Sequence, residues 1–336
     1  MSVLRRKLMM SQQANKAEIS YPGLIAAWSA KGKSNEDSDR DVLYDLTGNG
    51  CDISLKNFAY DLMSGYGGYN IGFSFFKPDT SVMERLSRYK AIYKTRSTEG
   101  TYLFNNFGIT GKPFRVKIDN PLGRYLEFKD VSLTTTFFKT TESGIFEIDP
   151  QGASGILLRG HSLPAGTEYN VTIELLPSYP DALVFDGVDD WGISKSLPIL
   201  TDYTIIVKRV FLDNEKGYSG TIAAKGVNPE RLGAFCFERN DNSFFSQISF
   251  GEGSRLRIEK DVEISWQTTL SYLGKAIPRG NLLDEPTFTI GTSFYRYNFL
   301  KGAIYSAYLF NRSLPPEEIE AFIKQHIDPN YTLPQV

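Results

Sequence analysis

The stretch Ala182-Leu-Val-Phe-Asp-Gly-Val-Asp-Asp-Trp191 decides how the rest of the chain is read. Leu183 and Phe185 alternate around Val184, the period-two pattern of a strand. Asp186-Gly187 then marks a tight turn, because Gly tolerates φ > 0. Two adjacent carboxylates, Asp189 and Asp190, come next, followed by Trp191. The stretch is a strand, a turn and an acidic corner. Short strands and turns of the same kind fill the chain on both sides of it.

Composition agrees with a strand-built protein. Of 336 residues, 41% are hydrophobic and 13% aromatic, including 19 Tyr and 23 Phe, and aromatics favour strands. The 29 Gly and 16 Pro supply turns. The length allows two or three domains at ~100–200 residues each. A net charge of −2 gives no global attraction to nucleic acid or an anionic membrane. Two cysteines, Cys51 and Cys236, cannot form a disulfide framework, and two histidines, His161 and His326, leave little for histidine-based metal sites or catalysis. The N-terminal residues carry Arg5, Arg6 and Lys7 but no apolar run of the ~7–15 residues a signal peptide needs. No run approaches the ~18 apolar residues of a membrane span.

In chain order, residues 1–20 read as an arm. Leu4, Leu8 and Met9 share one side of a short helical pattern, beside the basic patch. Ordered structure begins at Tyr21-Pro-Gly-Leu-Ile-Ala-Ala-Trp28. A charged loop and the cluster Asp45-Leu-Thr-Gly-Asn-Gly-Cys-Asp-Ile53 follow, where Asn and Gly dictate a turn. These residues, taken with the 182–191 stretch, resemble the laminin-G-like (concanavalin A-like) jelly-roll family. Its opening reads roughly GL-x-x-x-W … D-x-[ST]-GNG-x-D-x-x-L, matched here by Gly23, Leu24, Trp28, Asp45, Thr47, Gly48, Asn49, Gly50, Asp52 and Leu55. Its FDG-x-DD-aromatic signature is matched by Phe185 to Trp191.

In that family the two motifs follow closely, whereas here a long interval separates them. It is too long for a loop and has strand patterns of its own. Phe114-Arg-Val-Lys-Ile118, Arg124 to Phe128, Gly144 to Ile148, Gly155 to Leu158 and Tyr169 to Leu175 alternate or run apolar, with turn signals between them. The interval therefore reads as an inserted β-sandwich over 68–179, within a discontinuous jelly roll over 21–67 and 180–330. Ser81 to Tyr93 reads either as one short helix or as a charged connector.

Beyond the acidic corner, Asp202 to Arg209 reads as a strand, and Leu232–Glu238 with Phe244–Phe250 as a hairpin. Trp266 reads as opening the next strand, at the position of the family's WHH motif, with Gln267 and Thr268 in place of the histidines. Gly302 to Arg312 resembles the family's closing strand. Pro315 and Pro316, Glu317 and Glu318, and then Lys324 and His326 bracket a short C-terminal helix. The expectation is an all-β, concanavalin A-like jelly-roll sandwich carrying a second, inserted β-sandwich and a short C-terminal helix. The set of motifs is also similar to laminin-G-like structural proteins encoded in phage and prophage regions of gut bacteria.

Several residues bear on chemistry. Glu259-Lys-Asp-Val-Glu263 has the E-x-D-x-E spacing that could place three carboxylates on one strand face, as retaining glycoside hydrolysis needs. It sits in a charged run from Arg255 that reads as a solvated hairpin, so no catalytic residue is assigned and a glycoside hydrolase of this fold is the alternative reading. The resemblance implies a structural Ca²⁺ held by Asp45, Asn49 and Asp189, with no other cofactor; the same residues also suit Asx turns alone. Tyr66, Tyr69, Tyr295, Arg296 and Tyr297 fall in loop-like contexts where rings could stack on a sugar, and Phe137 and Phe138 lie in a comparable context. The resemblance thus implies a non-enzymatic virion or phage-tail-like surface protein, structural and adhesive. It would be made in the host cytoplasm, bind cell-surface glycans, dock to particle subunits through its arm and form a homo-oligomer.

Overall fold

The computed structural model describes residues 19–73, 83–95, 101–105, 112–153, 155–160, 169–198, 200, 203–212, 220–225, 235–240, 243–245, 255–258, 262–267, 287–292 and 298–331. The expected arm, residues 1–20, lies outside them except for Ile19 and Ser20. The chain divides into two compact units. One is built from the described residues of Met1–Phe58 and Asp181–Val336, the other from Ala59–Pro180.

The first unit opens with strands β1 (Leu24–Ser29), β2 (Val42–Leu43) and β3 (Ile53–Lys56). The second holds β4 (Gly65–Tyr66), β5 (Met83–Arg85), β6 (Lys90–Thr95), β7 (Thr101–Asn105), β8 (Phe114–Asp119), β9 (Leu126–Asp130), β10 (Thr136–Thr140), β11 (Gly144–Ile148), β12 (Ile156–Gly160) and β13 (Tyr169–Leu176). The first unit resumes with β14 (Leu183–Asp186), β15 (Trp191–Ser194), β16 (Tyr203–Phe211), β17 (Gly220–Lys225), β18 (Phe235–Asn240), β19 (Ser243–Phe245), β20 (Arg255–Ile258), β21 (Val262–Gln267), β22 (Phe288–Ile290) and β23 (Lys301–Phe310). Helix α1 (Pro316–His326) closes it. Among the described residues all strand pairs are antiparallel and α1 is the one helix, so the fold is all-β.

In the first unit, one sheet runs β20-β21-β16-β23-β14, and β1 pairs with the C-terminal half of β23. The other runs β19-β18-β17-β22-β15-β3-β2. They pack face to face: the Trp28 ring of the first sheet stacks on Phe288 of the second, centroids 5.0 Å apart. Trp28 and Phe185, the aromatic centres of the two sequence motifs, are 1% and 0% exposed in this same unit. Helix α1 covers the opposite face of the first sheet. Its Ile319, Phe322 and Ile323 pack with Leu24, Ala27, Ile206, Tyr308 and Phe310, and Tyr21 sets its ring edge-on to Phe310 and Phe322. This is why β1 and β23 are buried on both faces, where a half-buried strand would alternate. Trp266 sits near the end of β21, opposite Thr204 and Arg255; it does not open a strand as its motif suggested.

The second unit is a smaller two-sheet sandwich with orders β11-β8-β13-β6-β5 and β10-β9-β12-β7. Strand β8 alternates fully: Phe114, Val116 and Ile118 point inward, Arg115, Lys117 and Asp119 outward. The inward rows of β8, β13 and β6 meet Leu126, Phe128, Ile156 and Leu158 in one core. Residues 83–95 form the β5–β6 hairpin, neither the helix nor the connector their charge suggested. Met83, Ala91 and Tyr93 bury one face, while Glu84 and Lys94 pair on the other. The unit begins at Ala59, ahead of the expected residue 68. Asp61 explains the difference, because its Oδ1 accepts from Arg88 Nε at 2.9 Å and the Tyr89 hydroxyl at 3.0 Å.

Candidate functional site

Two acidic turns were the candidate cation site, and each is built around backbone donors. In the β2–β3 connection, Asp45 is 1% exposed. Its Oδ1 accepts from Ala27 N at 3.1 Å, Thr47 N at 3.0 Å and the Thr47 hydroxyl at 2.8 Å. Its Oδ2 accepts from the same hydroxyl at 2.9 Å and from Cys51 N at 3.1 Å. The next turn residue, Asn49, is exposed and donates its amide to the Ile25 carbonyl at 3.0 Å. The carboxylate thus ties strand β1 to the Gly48-Asn49-Gly50 turn, and Cys51 O in turn accepts the Trp28 indole N–H at 2.8 Å. A Ca²⁺ ion takes six to eight oxygens, and both oxygens of Asp45 are already committed to protein donors.

Asp189 lies in the other turn, after β14. There Gly187 takes φ +84, and a Cβ at this position would fall 2.7 Å from Lys301 Cβ, so the turn admits only glycine without displacement. Val188 N donates to Asp186 Oδ1 at 2.7 Å, an Asx turn, and Asp186 N donates back to Asp190 Oδ2 at 3.0 Å. Asp186, Asp189 and Asp190 bring oxygens within 4.8 Å of one another, with Asp189 exposed and Asp190 fully buried. The fold thus groups Asp189 with Asp186 and Asp190, while Asp45 and Asn49 serve their own turn. Two of the three grouped carboxylates already hold the turn's backbone.

The candidate sugar-stacking rings fare differently from one another. Tyr66 is 2% exposed, with its ring stacked near Tyr60, so its faces are enclosed. Tyr69 stacks on Tyr89 at 3.5 Å between centroids. Phe137 and Phe138 pack against the core of the second unit, Phe138 lying 4.9 Å from Phe146. Tyr66 and Tyr69 do packing work because the glycine-rich segment around them folds onto neighbouring aromatics, whereas Phe137 and Phe138 lie not in a loop but on strand β10, whose pairing with β9 holds them against the core. Tyr295, Arg296 and Tyr297 lie outside the described residues, as do Glu259 and Asp261 of the carboxylate triplet. Glu263 is on β21, opposite Val207 and Ile258.

Burial pushes the Cys51 thiol up to about 11, helped by Asp45 and Asp52 and opposed by Lys225. A buried thiol of that kind is inert. Sequence reasoning missed one feature, an open cavity of about 670 Å³ on the outward face of the five-stranded sheet in the second unit. The alternation in β8 does mark Lys117 and Asp119 as outward, but their cross-strand neighbours depend on register, which one strand's sequence does not carry.

No family model matches the chain, and neither the curated proteins nor the solved structures include a significant match to it. Among the described residues no helix is long and apolar enough to cross a membrane.

Proposed function

We propose that this chain is a non-enzymatic surface protein of a virion or phage-tail-like particle, with a laminin-G-like jelly roll as its larger unit and adhesion to glycans as its work. The observation that carries the reading is how the fold uses its carboxylates. Among the described residues, the buried Asp45 and Asp190 and the half-buried Asp61 and Asp186 accept hydrogen bonds from turn backbone or neighbouring side chains. A hydrolase of this fold needs two carboxyls facing each other across a groove, about 5–5.5 Å apart for retention. A binding protein needs rigid sandwiches that present polar surface, and two such sandwiches are what the sequence specifies. Docking to the particle is assigned to residues 1–18, with Arg5, Arg6 and Lys7 for an acidic partner and Leu4, Leu8 and Met9 for an apolar one.

The test is incorporation. Particles are purified from cells producing the full-length chain or a chain lacking residues 1–18, and both are probed for the protein. Full-length chain in the particles, with the truncated chain soluble and excluded, is the expected result. If the full-length chain is never found in particles, the virion assignment is wrong. If the truncated chain incorporates equally, the arm has no docking role.

A further inference from the structure

We propose that the outward face of the β11-β8-β13-β6-β5 sheet is a binding site for a neutral, hydroxyl-rich oligosaccharide. The inference rests on the glycan-binding reading above and gives it a place and a ligand class. The face holds an open cavity of about 670 Å³, within the ~300–1,000 Å³ range of small-ligand sites. Its floor is set by strand register. Ile145 stands opposite Lys117, Lys117 opposite Glu174, and Glu174 opposite Lys90, forming one row across four strands. The adjacent row carries Asp119, Thr172 and Ile92. Three strand spacings at ~4.8 Å make the first row roughly 14 Å long, enough for a short oligosaccharide. The registers of β11, β8, β13 and β6 run without a bulge, so the floor is held rigid by the ladder behind it.

The chemistry of the floor selects the ligand. Lys90 and Lys117 are matched by Glu174 and Asp119, and Lys90 Nζ sits 3.1 Å from Glu174 Oε2. Lys117 is exposed and has no ion-pair partner among the described residues. An anionic ligand would meet two carboxylates and a cationic one two ammonium groups. A sugar hydroxyl both donates and accepts, so it suits a floor where ammonium donors, carboxylate acceptors and the Thr172 hydroxyl alternate. The ends of the cavity are apolar: Leu86 is 50% exposed and Ile145 57%. Those side chains suit the C–H faces of the rings. Side chains that alternate donor, acceptor and apolar surface on a rigid sheet can order a polyol with little rearrangement of their own.

The experiment uses the full chain in native affinity gels containing dextran, mannan, xyloglucan or the acidic polymer alginate. Retardation by at least one neutral polysaccharide is expected, unchanged by added salt, because no charges are paired on binding. Lys117→Ala with Asp119→Ala should weaken it at least tenfold. Thr172→Trp, which fills the floor, should abolish it. Thermal melts of both variants show whether the unit remains folded; the first removes only exposed side chains and keeps the test valid if the second unfolds. Retardation that survives both variants but is lost in Tyr295→Ala with Tyr297→Ala puts the glycan elsewhere and overturns the site while sparing the function. Preference for alginate, weakened by salt, overturns the ligand class. If no polysaccharide retards the unaltered chain, the site and the glycan-binding reading fall together.

Discussion

Replacing Asp45 tests the role assigned to the Gly48-Asn49-Gly50 turn. In Asp45→Ala the buried amides of Ala27 and Cys51 lose their acceptor, and so do the amide and hydroxyl of Thr47. A buried donor left unsatisfied costs about 1–3 kcal/mol. Thr47 is half-buried and can recruit water, so the two buried amides dominate. The expected loss is about 3–5 kcal/mol, a large part of the ~5–15 kcal/mol that holds a typical domain. Asp45→Asn keeps one carbonyl oxygen for the Ala27 and Thr47 amides and, in its less costly orientation, turns its NH₂ toward Cys51 N alone. One donor then faces a donor, for about 1–3 kcal/mol. Urea unfolding followed by tryptophan fluorescence is the assay. The three Trp residues, at 28, 191 and 266, all belong to the first unit, so the signal is blind to Ala59–Pro180. A loss below about 1 kcal/mol in the alanine variant would refute the reasoning. So would a wild-type melting temperature that rises with Ca²⁺, falls with chelator, and loses both responses in Asp45→Asn. That result would make the carboxylate a cation ligand.

Three further outcomes are expected. Gly291 has φ +77, and a Cβ there would lie 2.4 Å from the Phe185 ring, so Gly291→Ala should cost roughly 2–4 kcal/mol from backbone strain and overpacking together, read in the same urea titration. Burial lowers the His326 pKa, and its Nε2 has no hydrogen-bond partner among the described residues. The folded pKa is therefore below the unfolded value near ~6.5, and the His326 contribution is full above that pH and is lost as pH falls through ~6.5 toward the folded value. Melting temperatures at pH 7.5 and 5.5 should diverge less in His326→Leu than in the unaltered chain. Finally, in a Cys236→Ser background the Cys51 thiol, pushed up to about 11 by burial, should resist a thiol reagent at pH 8 until urea unfolds the first unit; immediate labelling of the folded chain would contradict its enclosure.

Much of the fold is local chemistry and was legible in the chain. The alternation of Phe114 to Ile118 specifies β8 and its two faces, because successive side chains of a strand point opposite ways. Asp186-Gly187 specifies a turn, because only glycine enters it without strain. Paired prolines, acidic first turn and basic last turn specify α1. What the tertiary structure alone decided concerns residues whose partners are distant in sequence. Asp45 reads as a possible ligand until Ala27 N, 18 residues away, meets it. Tyr66 reads as an exposed loop aromatic until its segment folds inward. Ser81 to Tyr93 reads as helix or connector until Met83 finds Tyr93 across a hairpin. The outward row of Ile145, Lys117, Glu174 and Lys90 draws on four strands, and a slip of one residue in any of them would turn that side chain to the other face. Propensity and periodicity act over a few residues and write the elements. Register, burial and the pairing of polar groups come from long-range packing, which appears only once the sheets are assembled.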